Sequence, residues 1–164
     1  KDDDQILSNF RYWRRRETKI LYNHKNIVES NNIKFEELSN LYRNIVYKKK
    51  KKLNKEILQD LKSIYKAVEN GFGKFVCFRE NNILQSFSLL LFDNDNAHLA
   101  LTLTADKYKK QGLSAMNIFS CIKISKHHGK KFFDFNGANS PDRGDDKHSY
   151  GAKFKLFFEI NKNA

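Results

Sequence analysis

The 164-residue sequence holds a single proline, seven glycines, two cysteines, one tryptophan and one methionine. So little proline and glycine excludes a collagen-like or linker-type chain, and 40% hydrophobic with 13% aromatic residues excludes a disordered one. Cys77 and Cys121 lie far apart in apolar runs (FVCF and FSCIKI), with neither a CxxC pattern nor a paired histidine. That excludes a disulfide framework, indicates no metal site, and points to a reducing compartment such as the cytoplasm. No apolar run reaches the roughly 18 to 20 residues needed to cross a bilayer; the longest, residues 86–92, has the length of a strand. The chain starts at Lys1 with three aspartates behind it, without an initiator methionine or a secretory signal, so part of a longer protein is expected. The length suits one domain with a sizeable core.

What is plentiful is positive charge. Thirty-one Lys and Arg against nineteen Asp and Glu give a net charge of +12, which points to an anionic partner. Part of the excess fits the bias toward Asn, Ile, Phe and Tyr that AT-rich codons bring along with Lys.

Apolar spacing predicts helices over residues 4–22, 32–48 and 54–70, the second with Glu36 and Glu37 in its first turn and the third with Asn54 as cap. From Gly73 the period becomes two. Strands follow over 74–80, 83–92 and 97–104, with a tight turn at Asn81-Asn82 and another at 93–96. Ile83, Phe87, Leu89 and Leu91 are expected on one face of the second strand. In the third, Ala97, Leu99, Leu101 and Leu103 should face inward, with His98, Ala100, Thr102 and Thr104 outward. A helix over 112–128, stopped by Gly129, then leads to an apolar strand, 131–136, parallel to its predecessor because a helical crossover permits it. A polar loop, 137–151, precedes a last strand over 153–160. The order predicts an α+β fold: a mixed, mainly antiparallel sheet with helices on both faces.

Two segments carry chemistry. The helix opening at Gln111, Gly112, Leu113 and Ser114 follows the basic connector 107–110, and N–H groups at a helix start beside Lys109 and Lys110 can hold a phosphate. The polar loop offers Asn136, Asn139, Ser140, Arg143, Lys147 and Tyr150 as donors for an anionic or carbonyl ligand. Arg14 and Arg15, with Arg11 and Trp13 nearby, place cations where an acceptor phosphate could be gripped. His98, outward on its strand, could take a proton from an amine.

The run G-x-x-x-F-D-F-x-G (Gly129, Phe133, Asp134, Phe135, Gly137), followed by a polar loop that ends in a lysine and Ser-Tyr-Gly-Ala, resembles the C-terminal half of Fem-like acyltransferases of the GNAT superfamily. The segment N-S-P-x-R-G-D, residues 139–145, is most similar to acetyltransferases of bacterial surface-polysaccharide clusters. The resemblance implies one GNAT-like domain over residues 1–164, the C-terminal half of a two-lobed protein. It also implies transfer of an acetyl or related acyl group from coenzyme A to an amine, of an amino sugar in surface-glycan synthesis. By resemblance the donor arm lies against Thr102 and Thr104, its phosphates lie at Lys109 through Ser114, Lys147 polarises the acyl carbonyl, and Tyr150 protonates the leaving thiolate. The family's phosphate pattern is Arg/Gln-x-x-Gly-x-Gly/Ala; the sequence here keeps Gly112 and a basic first position but departs at both ends. A Fem-type donor, aminoacyl-tRNA, is therefore the alternative, and a nucleic-acid-binding module without chemistry is a third.

Overall fold

The computed structural model describes residues 2–22, 26–50, 55–137 and 141–154. In chain order the elements are α1 (Asp2–Ser8), α2 (Tyr12–Tyr22), β1 (Ile27–Ser30), α3 (Phe35–Lys50), α4 (Lys55–Ala67), β2 (Gly73–Glu80), β3 (Ile83–Phe92), β4 (Asn96–Thr104), α5 (Asp106–Lys109), α6 (Leu113–His127), β5 (Phe132–Asp134) and α7 (Pro141–His148). The strands form one sheet in the order β1-β2-β3-β4-β5, antiparallel except for the parallel β4–β5 pair that the α6 crossover delivers. Helices cover both faces. Leu38 and Ile33 near α3, Leu61 and Tyr65 of α4, and Cys77, Leu84, Phe87 and Leu89 of the sheet fill one side. On the other, Phe10 after α1 and Leu113, Met116, Phe119 and Cys121 of α6 pack on Val76, Phe78, Leu90 and Leu99. Buried on nearly all sides, α6 is the central helix.

Two β-bulges change the strand faces expected from simple alternation. Between β2 and β3 the register jumps from Phe78↔Ser86 to Arg79↔Leu84, so Gln85 is the extra residue. Leu84 rather than Ile83 therefore joins Phe87 and Leu89, and Ile83 is 65% exposed. Between β3 and β4 it jumps from Leu89↔Leu101 to Leu90↔Leu99, leaving Ala100 unpaired. Leu99 accordingly faces α6, while Leu101 and Leu103 face α3 and α4. Thr104, expected outward, is buried on the α6 side.

The single helix expected over 4–22 is broken at residues 9–11. Phe10 turns into the core against Phe119 and Tyr150, and the Arg11 amide leaves the helical ladder to donate to the Ser149 carbonyl at 2.8 Å. Strand β1, too short to show a period, is an additional edge strand. The polar segment expected to be loop throughout contains α7, with its one proline at the first helical position, where the missing N–H costs nothing. Asn54 and most of the strand expected over 153–160 lie outside the described residues; residues 153 and 154 are not in a strand.

Candidate active site

Strands β4 and β5 pair over only three positions, Asn96↔Phe132, Ala97↔Phe133 and His98↔Asp134. Beyond them the two strands part. The Asn136 side-chain amide donates to the Leu99 carbonyl at 2.7 Å in place of a further rung, and among the described residues no strand pairs with the outer edge of residues 100–104. The bulge at Ala100 sits where the fork opens, and Asn136 itself has a left-handed backbone (φ 54°) steadied by its N–H to the Asp134 carboxylate at 2.8 Å. The Lys147 ammonium, carried on the last turn of α7, donates to the carbonyls of Asn136 and Gly137. A cation is thereby fixed at the parting of the two strands.

The wall of the fork facing α6 is polar and buried. Asn117, fully buried on α6, accepts from Ser88 Oγ at 2.5 Å and donates to Ser86 Oγ at 2.7 Å. Ser86 in turn bonds Thr104 Oγ1 at 2.8 Å, and Ser88 reaches Thr102 Oγ1 at 2.9 Å. The chain of hydroxyls thus runs from the helix interior to the exposed Thr102 on the open strand. No buried side-chain N or O among the described residues lacks a partner, so the network is fully satisfied and stiff. Ser86, Ser88 and Asn117 were not singled out from sequence. Their signal is two serines spaced i, i+2 in an apolar strand, and one asparagine in an apolar helical stripe.

Helix α6 opens at Gly112, in the left-handed region (φ 89°), with no side chain capping it. The N–H groups of residues 113–115 therefore point out of the helix start without an intrahelical acceptor. The structure also gives Gly112 a second reason: a Cβ there would lie 2.8 Å from both Glu17 Cβ and the Glu17 carbonyl oxygen, so α2 packs directly on this turn. Leu113 is buried in the core, Ser114 half-buried, Lys110 and Gln111 exposed. Lys109 is paired with Asp106 at 2.5 Å.

Several residues picked out from sequence have other work. His98 lies in the paired segment, where Nδ1 meets Asp134 and Nε2 meets Asp93, each at 3.1 Å. The hydrogen bond from Asp93, outweighing partial burial, raises its pKa above 6.5. A proton-holding imidazolium bridging two carboxylates is the opposite of a free base, which corrects the reading of His98 as a proton acceptor. Tyr150 is packed edge-on to Phe10 and stacked with Phe135, and burial pushes its phenol pKa up. It is a core aromatic, not a proton donor at the fork. Arg14, 14% exposed, donates to Ser149 Oγ and Glu17, pairs with Asp146, and lies 4.0 Å over the Trp13 ring. With Arg11 paired to Asp145, it anchors α2 to α7 instead of meeting substrate. Arg15 remains on the outer side of α2. Arg143 is carried by α7; Asn139 and Ser140 lie outside the described residues. Both cysteines are buried, their thiols pushed up to about 12, and so are inert.

No family model matches the chain, and no curated protein matches its sequence. Solved structures do match. FemX superposes with a TM-score of 0.73 at 13% identity, over 92% of this chain and 56% of FemX, so this chain spans little more than half of that protein. AAC(6')-Iy, in complex with the bisubstrate analogue CoA-S-monomethyl-acetylneamine, gives 0.57 at 11% identity over 84% of this chain and 97% of its own. An acetyltransferase of the GNAT family from Staphylococcus aureus Mu50 gives 0.55 at 18% identity, over 63% and 68%. At such identities the likeness is one of fold, and the fold is the one that FemX and GNAT acetyltransferases share.

Proposed function

We infer that the domain is an N-acyltransferase that passes an acetyl or related acyl group from a coenzyme A thioester to an amine, that of an amino sugar in bacterial surface-glycan synthesis, in the cytoplasm. The observation that carries this is the early end of the β4–β5 pairing, with a bulge, a fixed cation and the start of α6 grouped around the opening. Acyl transfer needs a slot for an extended donor, positive charge where the carbonyl oxygen gains electrons, and a surface where an amine can approach.

The fork fits a thioester arm. The unpaired backbone edge of residues 100–104 offers N–H and C=O groups to an amide-bearing chain, and the exposed Thr102 hydroxyl adds one more polar contact. Lys110 and the N–H groups of residues 113–115 would take the phosphates. When bound, the donor supplies the activated acyl carbon; a C–N bond forms, the C–S bond breaks, and the amine proton is lost as the thiol regains one. Lys147 is assigned the stabilisation of the acyl oxygen, and Asn136 holds the loop that presents it.

A second donor, aminoacyl-tRNA, is favoured by one contact. Glu17 lies on Gly112, where a bound pyrophosphate would need room and no added negative charge, and FemX covers 92% of the chain. In either case the domain would act as one lobe of a two-lobed protein. Incubation with acetyl-CoA and a panel of amino sugars, read by thiol release, tests the first reading. Release dependent on the amino sugar supports it; no release together with no coenzyme A binding would sink it.

A further inference from the structure

Helix α2 carries two kinds of arginine. Arg11 and Arg14 face inward and are matched by Asp145, Asp146 and Glu17. The outer stripe at positions 12, 15, 16, 19 and 20, spaced i, i+3, i+4, i+7, i+8, holds Tyr12, Arg15, Arg16, Lys19 and Ile20 and contains no carboxylate. These five side chains line a cleft of about 580 Å3. Among the described residues, no ion pair or side-chain hydrogen bond engages Arg15, Arg16 or Lys19, and no ring contact engages Tyr12, which is 72% exposed. The neighbouring Trp13 ring is already covered by Arg14. Like charges at i and i+4, here Arg15 and Lys19, repel and disfavour the helix unless an anion lies between them.

We propose that this face of α2 binds the nucleoside diphosphate group that carries the amine acceptor. The cleft matches that ligand in number and kind: one open aromatic ring for one base, and three cations for two phosphates. Its volume is that of a nucleotide rather than a polymer track, and one aliphatic side chain, Ile20, is too little for a lipid surface. The opposite side of α2 packs on Gly112, so the cleft stands beside the helix that opens at the fork. The role given to the ligand rests on the acyl-transfer reading, whereas its binding is measured without any transfer.

The sole tryptophan, Trp13, sits on the same helix and reports binding by its fluorescence. Titration of the whole chain with UDP should give a saturable change, weakened by added salt. Inorganic pyrophosphate, lacking the base, should bind about tenfold more weakly. Tyr12→Ala should weaken UDP by about tenfold, and Arg15→Ala, Arg16→Ala and Lys19→Ala combined by more than about tenfold. All four positions are exposed or half-buried, and an unchanged circular dichroism melt verifies that the variants fold. The proposal is overturned if UDP does not bind, if the variants bind it unchanged, or if pyrophosphate matches UDP. It is equally overturned if a single-stranded oligouridylate or coenzyme A binds more tightly than UDP through these residues, which would make the face an RNA or donor site. UDP binding with no thiol release would uphold this site and count against the acyl-transfer reading.

Discussion

The two ends of strand β4 are built in opposite ways. At its start, His98 is held between Asp93 and Asp134, Lys131 pairs with Asp95 at 3.0 Å, and the Lys131 and Phe132 amides donate to the Asp95 carbonyl. At its end the β5 side is open, and what steadies the strand comes from the opposite flank, through Ser86, Ser88 and Asn117. Clamping one end lets the other stay parted without the sheet unravelling. An edge left open in this way keeps its backbone groups within reach of a ligand, because a buried unpaired N–H or C=O would be costly.

The comparison can be broken first at the open end. Lys147→Ala should lower thiol release by about a hundredfold, as loss of one group stabilising a developing negative oxygen does, with little change in melting temperature. Full retention of activity would remove the carbonyl-stabilising role. Next comes the wall behind the fork. Asn117→Leu deprives Ser86 and Ser88 of a buried partner and should cost about 2–3 kcal/mol, seen as a drop in Tm of roughly 5–10 °C. An unchanged Tm would show that the network is dispensable.

The closed end gives a smaller, pH-dependent effect. The folded-state pKa of His98 is raised above 6.5, so its contribution to stability is complete below pH 6.5 and fades as pH climbs through the raised value. The Tm gap between the parent and His98→Gln should therefore be widest in mild acid and close at alkaline pH. A gap that widens with pH would mean the imidazole is held neutral. Smallest is Thr102→Val, expected to cost about 1 kcal/mol or less, because Ser88 keeps its bond to Asn117.

Much of this was legible in the residues. The period of two after Gly73, the turn at Asn81-Asn82, the parallel return of β5 after α6, and the role of Asp134 in holding a loop N–H all follow from local pattern, and each is present. The bulges at Gln85 and Ala100 were not, because an inserted residue leaves the apolar count of a strand unchanged and only reassigns faces. That is why Thr104 and Ile83 were placed on the wrong side. Tyr150 and Arg14 were misjudged for a related reason: their partners, Phe10 for one and Asp146 for the other, are more than 100 positions away in the chain. Residue type alone does not distinguish a cation held for packing from one held for a ligand. Arg14 and Arg15 are adjacent in sequence and differ only in which side of α2 they occupy.

The central claim is that the parted end of β4 and the start of α6 together take the acyl donor. Backbone amide chemical shifts recorded as acetyl-CoA is added test it directly. The account predicts shifts grouped at residues 100–104, 113–115 and 136–137, with the clamped segment 96–98 unmoved. Shifts confined to the clamped end, or none at saturating donor, would contradict it.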